Sequence, residues 1–508
     1  MANKHTESLK DVEQLGLFAA LGSLGYVFWV LGGMEMVERL AYYGVRSVSG
    51  LYVTNPVSEG GLGVSAEALG SIFIVWALVQ SLVPALMGGL SDRFGYKETI
   101  FASTVVKIAG YLVMALYPSY WGFTVGAIIL AAGTGVFKPG IQGTLAKVCT
   151  RENSSMAWGI FYQTVNIGGW LGPLMAAQLR QLDWSNLFYA CAGIISLNFL
   201  LLLAYKEPGK EDRLAHRKKI VRGEVLEEAL WKEAVRELAK PHLAGFLLLM
   251  CGFWFMFNAL FDVLPLHIRD WVDTSVIVGA LFGPEGTQSG FWKFILGMNF
   301  EGTRIMPEGL LNVNAGLIMV TCFLFAQISS KFKAINSMIL GTLLCGLAFA
   351  AMGYTAAGWV VFTGIIFFSM GEMFSSPKFL EYIGNIAPTN KKAMYLGFAN
   401  LPMAVGWVVE AAIVPSLYGK YSAKDTLARE MLQSEGMPQQ LLDQVPLGDA
   451  FSRLVEYTGT PAGQLSEILY QSNNVGVVWY ISAVVAVLTA IGLVFYGVWM
   501  KKLLASPG

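Results

Sequence analysis

The sequence contains little charge, since Asp, Glu, Lys and Arg make up 14% of its residues and its 35 basic residues balance 35 acidic ones. A chain without net charge presents no basic field, so nucleic acid is not an expected partner. The five cysteines lack metal-ligand spacing and lie in or beside apolar segments, which is typical of small buried hydrophobes. None of the four histidines lies in the middle of an apolar segment, so buried carboxylates would have to carry any transported proton.

Motifs for nucleotide binding, nucleophilic catalysis and metal catalysis are also missing. We therefore expect no enzymatic activity, no cofactor and no use of ATP as an energy source. The polar N-terminal stretch lacks the basic start, apolar core and cleavage site of a signal peptide. The first apolar segment is accordingly expected to direct membrane insertion.

Apolar residues are abundant: they make up 55% of the chain, and the mean hydropathy is +0.54. Runs of about 20 such residues recur, each long enough to cross a hydrocarbon core of roughly 30 Å. The pattern predicts an all-α integral membrane protein of about 12 transmembrane helices. The predicted spans are 24–53, 66–90, 98–117, 121–147, 156–179, 186–205, 243–267, 309–330, 335–355, 358–383, 392–417 and 475–500.

One polar break divides these spans into two groups of six. Residues 1–205 are predicted to form an N-terminal six-helix bundle and residues 243–508 a C-terminal one. The basic linker 206–242 between them contains an amphipathic stretch, GEVLEEALWKEAVRELAK, which is typical of a helix at the membrane surface. Two long polar segments, near 268–308 and 418–474, are expected on the outer side and have room for short helices.

Lys and Arg cluster in every second short loop, and this asymmetry predicts the orientation of the chain. The basic loops belong on the cytoplasmic side, so both termini are expected in the cytoplasm. We expect a multi-pass protein of the plasma (inner) membrane, surrounded by lipid bilayer and functional as a monomer.

Several spans contain ionisable residues, which cost free energy in a membrane unless they are paired or face water. The first span contains Glu35, Glu38, Arg39 and Arg46, together with Tyr42 and Tyr43. Glu35 and Arg39 are spaced i, i+4 and can pair on one face. Such a polar stripe indicates an aqueous cavity. Other charged residues in predicted spans are Lys107, Lys138, Asp262, Glu372, Lys378, Glu381 and Glu410.

Two segments resemble known transporter signatures. GGLSDRFGYK, residues 88–97, resembles the loop motif of the major facilitator superfamily, in which residues matching Asp92 and Arg93 brace the inward side. EMVERLAYYG, residues 35–44, is similar to the E-x-x-E-R-F-x-Y-Y-G signature of the proton-dependent oligopeptide transporter family, with Leu40 in place of Phe. Further segments similar to that family are GTGVFKPG (133–140), FYQTVNIGG (161–169), and Glu372 with Glu381 and Ala387-Pro388.

This resemblance implies a major facilitator fold that alternates access to a central cavity. Proton coupling would involve Glu35, Glu38, Arg39 and Glu372. Substrate binding would involve Arg39, Tyr42, Tyr43, Lys138, Asn166, Asn314 and Glu372, with Arg39 and Lys138 on the carboxylate and Glu372 and Asn166 at the amino end. Gating would involve Arg46 paired with Asp262, together with Asp92, Arg93 and Glu381.

The sequence also departs from the family pattern. Ser81 stands three residues before Pro84 where the family usually has Tyr, and Ala259 stands where it usually has Gln. The expected function is proton-coupled symport of di- or tripeptides or of a peptide-like zwitterion. The alternative is a major facilitator carrier of another solute, such as an anion like nitrate or a drug. Retention of both Lys138 and Glu372 favours the zwitterion.

Overall fold

A computed structural model describes residues 17–150, 153–211, 214, 230–329, 331–388 and 392–505. Within those residues the chain is built from helices, and its one β-bridge joins Met298 to Ile305. We number the long helices in chain order. They are α1 (Tyr26–Arg46), α2 (Ala66–Phe94), α3 (Tyr96–Leu116), α4 (Tyr120–Val148), α5 (Ser154–Leu179), α6 (Trp184–Ala204), α7 (Pro241–Trp271), α8 (Val313–Ser329), α9 (Ala334–Tyr354), α10 (Gly358–Ile386), α11 (Asn400–Tyr421) and α12 (Val477–Ala505).

The helical membrane fold predicted from hydropathy is confirmed. In the described part of the chain, 9 segments are long and apolar enough to cross a membrane. The other three long helices are either less apolar or shorter than these nine. Four charged residues lie on α1, polar residues and glycines dilute α5, and α8 has 17 residues. Each of the twelve predicted spans nevertheless overlaps one long helix, although the predicted spans 24–53, 309–330 and 392–417 also take in part or all of a neighbouring short helix.

Small residues allow neighbouring helices to approach closely. A methyl group at Gly110 of α3 would lie 2.9 Å from the carbonyl oxygen of Gly126 on α4, and one at Gly126 would lie 2.8 Å from the carbonyl oxygen of Gly110. Lipid provides no hydrophobic drive between helices, so close backbone packing of this kind stabilises their association. The largest buried apolar cluster contains residues of both six-helix groups.

The two polar segments that are predicted to lie on the outer side contain short helices, as their length allowed. Residues 268–308 include Ser275–Phe282 and Gly290–Ile295. The second segment forms a small helical unit, which we call the outer cap. Its helices are Lys424–Ser434, Gln439–Leu442, Ala450–Thr458 and Ala462–Ser472, and they share an apolar core that includes Leu427, Leu432, Leu454 and Leu465.

The linker is described only in part. Residues 212–213 and 215–229 lie outside the described residues, so the first half of the predicted amphipathic helix does too. Its second half is a helix from Leu230 to Leu238. Glu237 on this helix accepts hydrogen bonds from Tyr395 at 2.8 Å and from Lys240 at 2.5 Å. The linker helix is therefore attached to the segment that precedes α11.

Candidate functional site

The charged stripe of α1 is buried and internally paired. Arg39 Nε lies 3.0 Å from Glu35 Oε1, and an Arg39 terminal nitrogen lies 2.7 Å from Glu38 Oε2. All three side chains are at least nine-tenths buried. One guanidinium thus bridges two carboxylates, which is a stable arrangement in a low-dielectric interior only when the charges remain close to balance.

A second cation reaches the same cluster from α3. Lys107 Nζ lies 3.4 Å from Glu38 Oε1, and the Thr134 hydroxyl donates to the same oxygen at 3.4 Å. The ammonium also lies 3.7 Å from the centre of the Phe137 ring, a cation–π contact. Lys107 is one of the charged residues in the predicted spans but does not belong to the predicted site. The structure makes it the second cation on Glu38, so Glu38 is held more firmly than Glu35.

Lys138 on α4 is the remaining cation of this cluster. It interacts electrostatically with Arg39, Glu35 and Glu38, yet among the described residues it forms no ion pair within 4 Å. Two carboxylates therefore face three cations. The excess positive charge lies on Lys138, which is partly exposed between the helices. An anionic group of a solute would balance it.

Gly168, in the FYQTVNIGG segment of α5, allows α5 to pack directly against α1. A methyl group on Gly168 would lie 2.8 Å from Arg39 Cβ and would also clash with the Met36 carbonyl oxygen. The two helices therefore touch backbone to backbone at the position of Arg39. The glycine sets the distance between the α5 side chains and the charged stripe.

We expect Gly168→Ala to destabilise the protein by about 1–3 kcal/mol and to weaken transport, because overpacking must displace Arg39 or separate the helices. Thermal unfolding in detergent measures the first effect. Gly169→Ala is the matched control, because its methyl group would meet Tyr43 at 3.4 Å, an ordinary contact. Equal midpoints for the two variants would contradict this account.

The C-terminal half contributes one carboxylate, Glu372, to the predicted substrate-binding residues. Asn314 of α8 donates to Glu372 of α10 at 3.0 Å and to Ser369 at 3.0 Å. Within the described residues Glu372 has no cationic partner within 4 Å. Tyr43 lies close enough to interact electrostatically with both Arg39 and Glu372. Tyr43 thus lies between the predicted basic group Arg39 and the predicted acidic group Glu372.

Two predicted binding residues have contrasting surroundings. The Tyr42 hydroxyl donates to Gln80 Oε1 at 3.0 Å, and Trp76 donates to the same oxygen at 3.1 Å, so Tyr42 is engaged within the N-terminal half. The amide nitrogen of Asn166, in contrast, is buried without a hydrogen-bond partner in the described structure. A buried donor without an acceptor costs about 1–3 kcal/mol, so Asn166 is suited to donate to a bound solute.

Arg46 and Asp262 form a buried ion pair between α1 and α7. Asp262 also accepts a hydrogen bond from Trp407 of α11 at 3.0 Å. The Arg46 guanidinium lies over the rings of Phe73 and Trp407, at 4.7 and 4.8 Å from their centres. The predicted pairing is therefore present, although its role as a gate remains a prediction. Sequence analysis did not identify Trp407, because nothing local distinguishes it from other membrane tryptophans.

Two further sets of contacts join the N-terminal and C-terminal halves, and the sequence did not predict them. Arg180 at the end of α5 makes a two-point ion pair with Glu308, at 2.5 and 3.0 Å. Glu308 lies in the first turn of the helix Pro307–Leu311, a position where a carboxylate is favoured. Arg269 adds hydrogen bonds to Thr54 at 2.7 Å and Asn55 at 2.9 Å. These contacts join the two halves at the end of the molecule that is predicted to face outward.

The predicted inner-side residues are less fully described. Asp92 and Arg93 lie on α2, and their side chains are outside the described residues. Glu381 pairs with Lys378 at 2.7 Å on the same helix, with nearly half of its side chain exposed. Lys97, from the same signature as Asp92, donates to the Tyr205 carbonyl oxygen at 3.0 Å and so joins α3 to the end of α6.

Comparison with known proteins identifies several relatives. An uncharacterized transporter, YclF of Bacillus subtilis, is 28% identical over 208 residues, which are 40% of this chain and 42% of that protein. A Na(+), Li(+), K(+)/H(+) antiporter of Planococcus maritimus is 24% identical over 69% of this chain and 81% of its own. The peptide transporter YePEPT of Yersinia enterocolitica is 29% identical over 33% and 34%. The chain thus spans less than half the length of the first and third of these relatives.

Solved structures share the fold along most of the chain. A POT family transporter in complex with 5-aminolevulinic acid superposes with a TM-score of 0.64 at 16% identity, over 95% of this chain and 99% of that one. The model of the Major Facilitator Superfamily matches residues 36–409. The predicted major facilitator fold is therefore confirmed, and the chain belongs to the Major Facilitator Superfamily.

Proposed function

We propose that the protein is a proton-coupled symporter of di- or tripeptides or of a similar zwitterion. One observation carries the proposal: Lys138 of the charged cluster and Glu372 of the other half each lack an ionic partner within 4 Å among the described residues. An α-amino acid or peptide carries one charge of each sign, so it would pair both groups at once. The likeness to the YePEPT transporter and to the POT family fold supports this assignment.

Glu35 is the candidate coupling group. Its only ionic partner among the described residues is Arg39, which it shares with Glu38, whereas Glu38 has Lys107 as well. Protonation of Glu35 would release part of the Arg39 guanidinium toward the substrate carboxylate beside Lys138. Release of substrate would allow Arg39 to pair with Glu35 again once the proton has left. Proton and substrate would thus move in the same direction.

Uptake into liposomes tests the proposal. Purified protein with an inward proton gradient of one pH unit should accumulate labelled dialanine about tenfold per coupled proton, because that gradient stores about 1.4 kcal/mol per proton. A protonophore should abolish accumulation. If there is no uptake, and unlabelled dipeptides neither compete nor stabilise the protein, the peptide assignment fails. Gradient-dependent exchange of Na(+) or K(+) without dipeptide uptake would instead favour cation/proton antiport, as in the Planococcus relative.

We expect Glu35→Gln to lose gradient-driven accumulation while it still exchanges labelled for unlabelled dipeptide across the membrane. The substitution keeps the side-chain shape and removes the proton site. Glu98→Gln is the control, since Glu98 is about half exposed and lies 3.8 Å from the exposed Lys210. Wild-type accumulation by Glu35→Gln would show that Glu35 is outside the coupling chain.

A further inference from the structure

A separate cavity of about 740 Å³ opens at the end of the molecule that is predicted to face the cytoplasm. It lies between the N-terminal ends of α7 and α9 and the C-terminal ends of α10 and α12, away from the charged stripe of α1. Its walls are mostly aliphatic. Their members include Ile335, Ile339, Ile386, Leu493, Val494 and Val498.

The cavity has the form of a groove, and its floor is held together by hydrogen bonds and ring packing. Tyr496 donates to the His242 carbonyl oxygen at 2.9 Å, so the 3.0 Å hydrogen bond between the two tyrosine hydroxyls is donated by Tyr382. The ring of Phe246 packs against Tyr382 with centroids 4.5 Å apart. Three helices are joined by these contacts, so the groove is preformed.

The rim carries positive charge. Lys333 directly precedes α9, and Lys501 lies near the C-terminal end of α12. Both lysines are exposed and line the groove. No carboxylate lines it, and neither lysine has an ion pair within the described part of the chain. Two uncompensated cations at the end of an aliphatic groove complement a molecule with an anionic head and an apolar tail.

We propose that this groove binds one anionic phospholipid, with its phosphate between Lys333 and Lys501 and an acyl chain against Ile339 and Leu493. The position fits, because Lys333 directly precedes α9 and Lys501 lies near the C-terminal end of α12, and the ends of membrane helices are expected at the depth of lipid headgroups. A free inorganic phosphate would satisfy the lysines but would leave the aliphatic walls in water. The lipid would bridge α9 and α12, both in the C-terminal half.

The neighbouring lysines supply a charge-matched test. Lys331 and Lys502 lie close to Lys333 and Lys501 in the chain but do not line the groove. The double variants K333Q/K501Q and K331Q/K502Q therefore remove the same charge from the same loop and the same helix. Purified full-length proteins are titrated with phosphatidylglycerol or phosphatidylcholine in detergent, and bound lipid is counted by native mass spectrometry.

We expect wild type and K331Q/K502Q to bind one phosphatidylglycerol and to gain thermal stability from it, but not from phosphatidylcholine. K333Q/K501Q should bind about 30-fold more weakly, since each lysine near a headgroup contributes about fivefold. Ile339→Trp, which keeps both lysines and fills the groove, should also lose the lipid. Equal loss in both double variants, displacement by millimolar inorganic phosphate, or full binding by Ile339→Trp would each overturn the proposal.

Discussion

Lys138→Gln is expected to lower dipeptide uptake roughly 30- to 100-fold or more while leaving the free protein as stable as the wild type. The loss corresponds to at least about 2–3 kcal/mol, the lower part of the range for removing one partner from a desolvated charge pair. Without solute, Lys138 has no ionic partner within 4 Å among the described residues, so glutamine removes no ion pair of the resting protein. It removes the repulsion between Lys138 and Arg39 together with the attraction of Lys138 to Glu35 and Glu38, so the two changes offset each other.

Lys147→Gln is the matched control for this prediction. It lies on the same helix as Lys138, but its ammonium lies 4.5 Å from the centre of the Tyr96 ring, outside the charged cluster. Uptake by Lys147→Gln should stay within about twofold of wild type, since an exposed cation–π contact contributes about 0.5–1 kcal/mol. Uptake by Lys138→Gln with an unchanged KM would show that the solute carboxylate binds elsewhere.

Asp262→Asn is expected to cost about 3–5 kcal/mol of stability, because it leaves the Arg46 guanidinium buried without its carboxylate. It should also weaken the hydrogen bond from Trp407, which at present ends on Asp262 Oδ2 at 3.0 Å. The thermal midpoint in detergent measures the loss. The double variant Arg46→Gln/Asp262→Asn should be more stable than Asp262→Asn alone, since it removes the unpaired charge.

Glu410→Gln provides the comparison within the same cluster. Glu410 on α11 is fully buried and interacts electrostatically with Asp262 and Arg46. An amide of the same shape removes a carboxylate next to Asp262, so the midpoint should stay level or rise. A larger loss for Glu410→Gln than for Asp262→Asn would show that Arg46 depends mainly on Glu410.

The sequence predicted the fold well because membrane helices are specified locally. Each span has a hydropathy signal of its own, and even α1, with four charged residues, keeps enough apolar residues to be recognised. The long outer segments were harder to interpret. The helices of the outer cap pack on one another through leucines that are distant in sequence, and no local motif indicates that they form a single unit.

The site was predictable where family motifs supply it and not elsewhere. Glu35, Glu38 and Arg39 lie within one turn of a recognisable signature, so their proximity follows from helical spacing. Lys107 reaches Glu38 across 69 positions and Arg180 reaches Glu308 across 128, and neither pairing leaves a pattern in the sequence. Contacts between helices depend on helix rotation and register, which composition does not determine.

The outer cap makes the motion of the two halves measurable. It is joined by chain to α11 and α12, yet Ser58 of the N-terminal half donates to Asp449 of the cap at 2.8 Å. If one half rocks against the other, that contact must break, and the cap tip would travel farther than any residue inside the bundle. All five cysteines lie outside the cap, so once the partly exposed Cys149, Cys251 and Cys322 have been replaced, one engineered thiol in the cap would carry a fluorophore at a defined position. The position of the labelled cap, followed by fluorescence in a single molecule, would then report the time of each turnover.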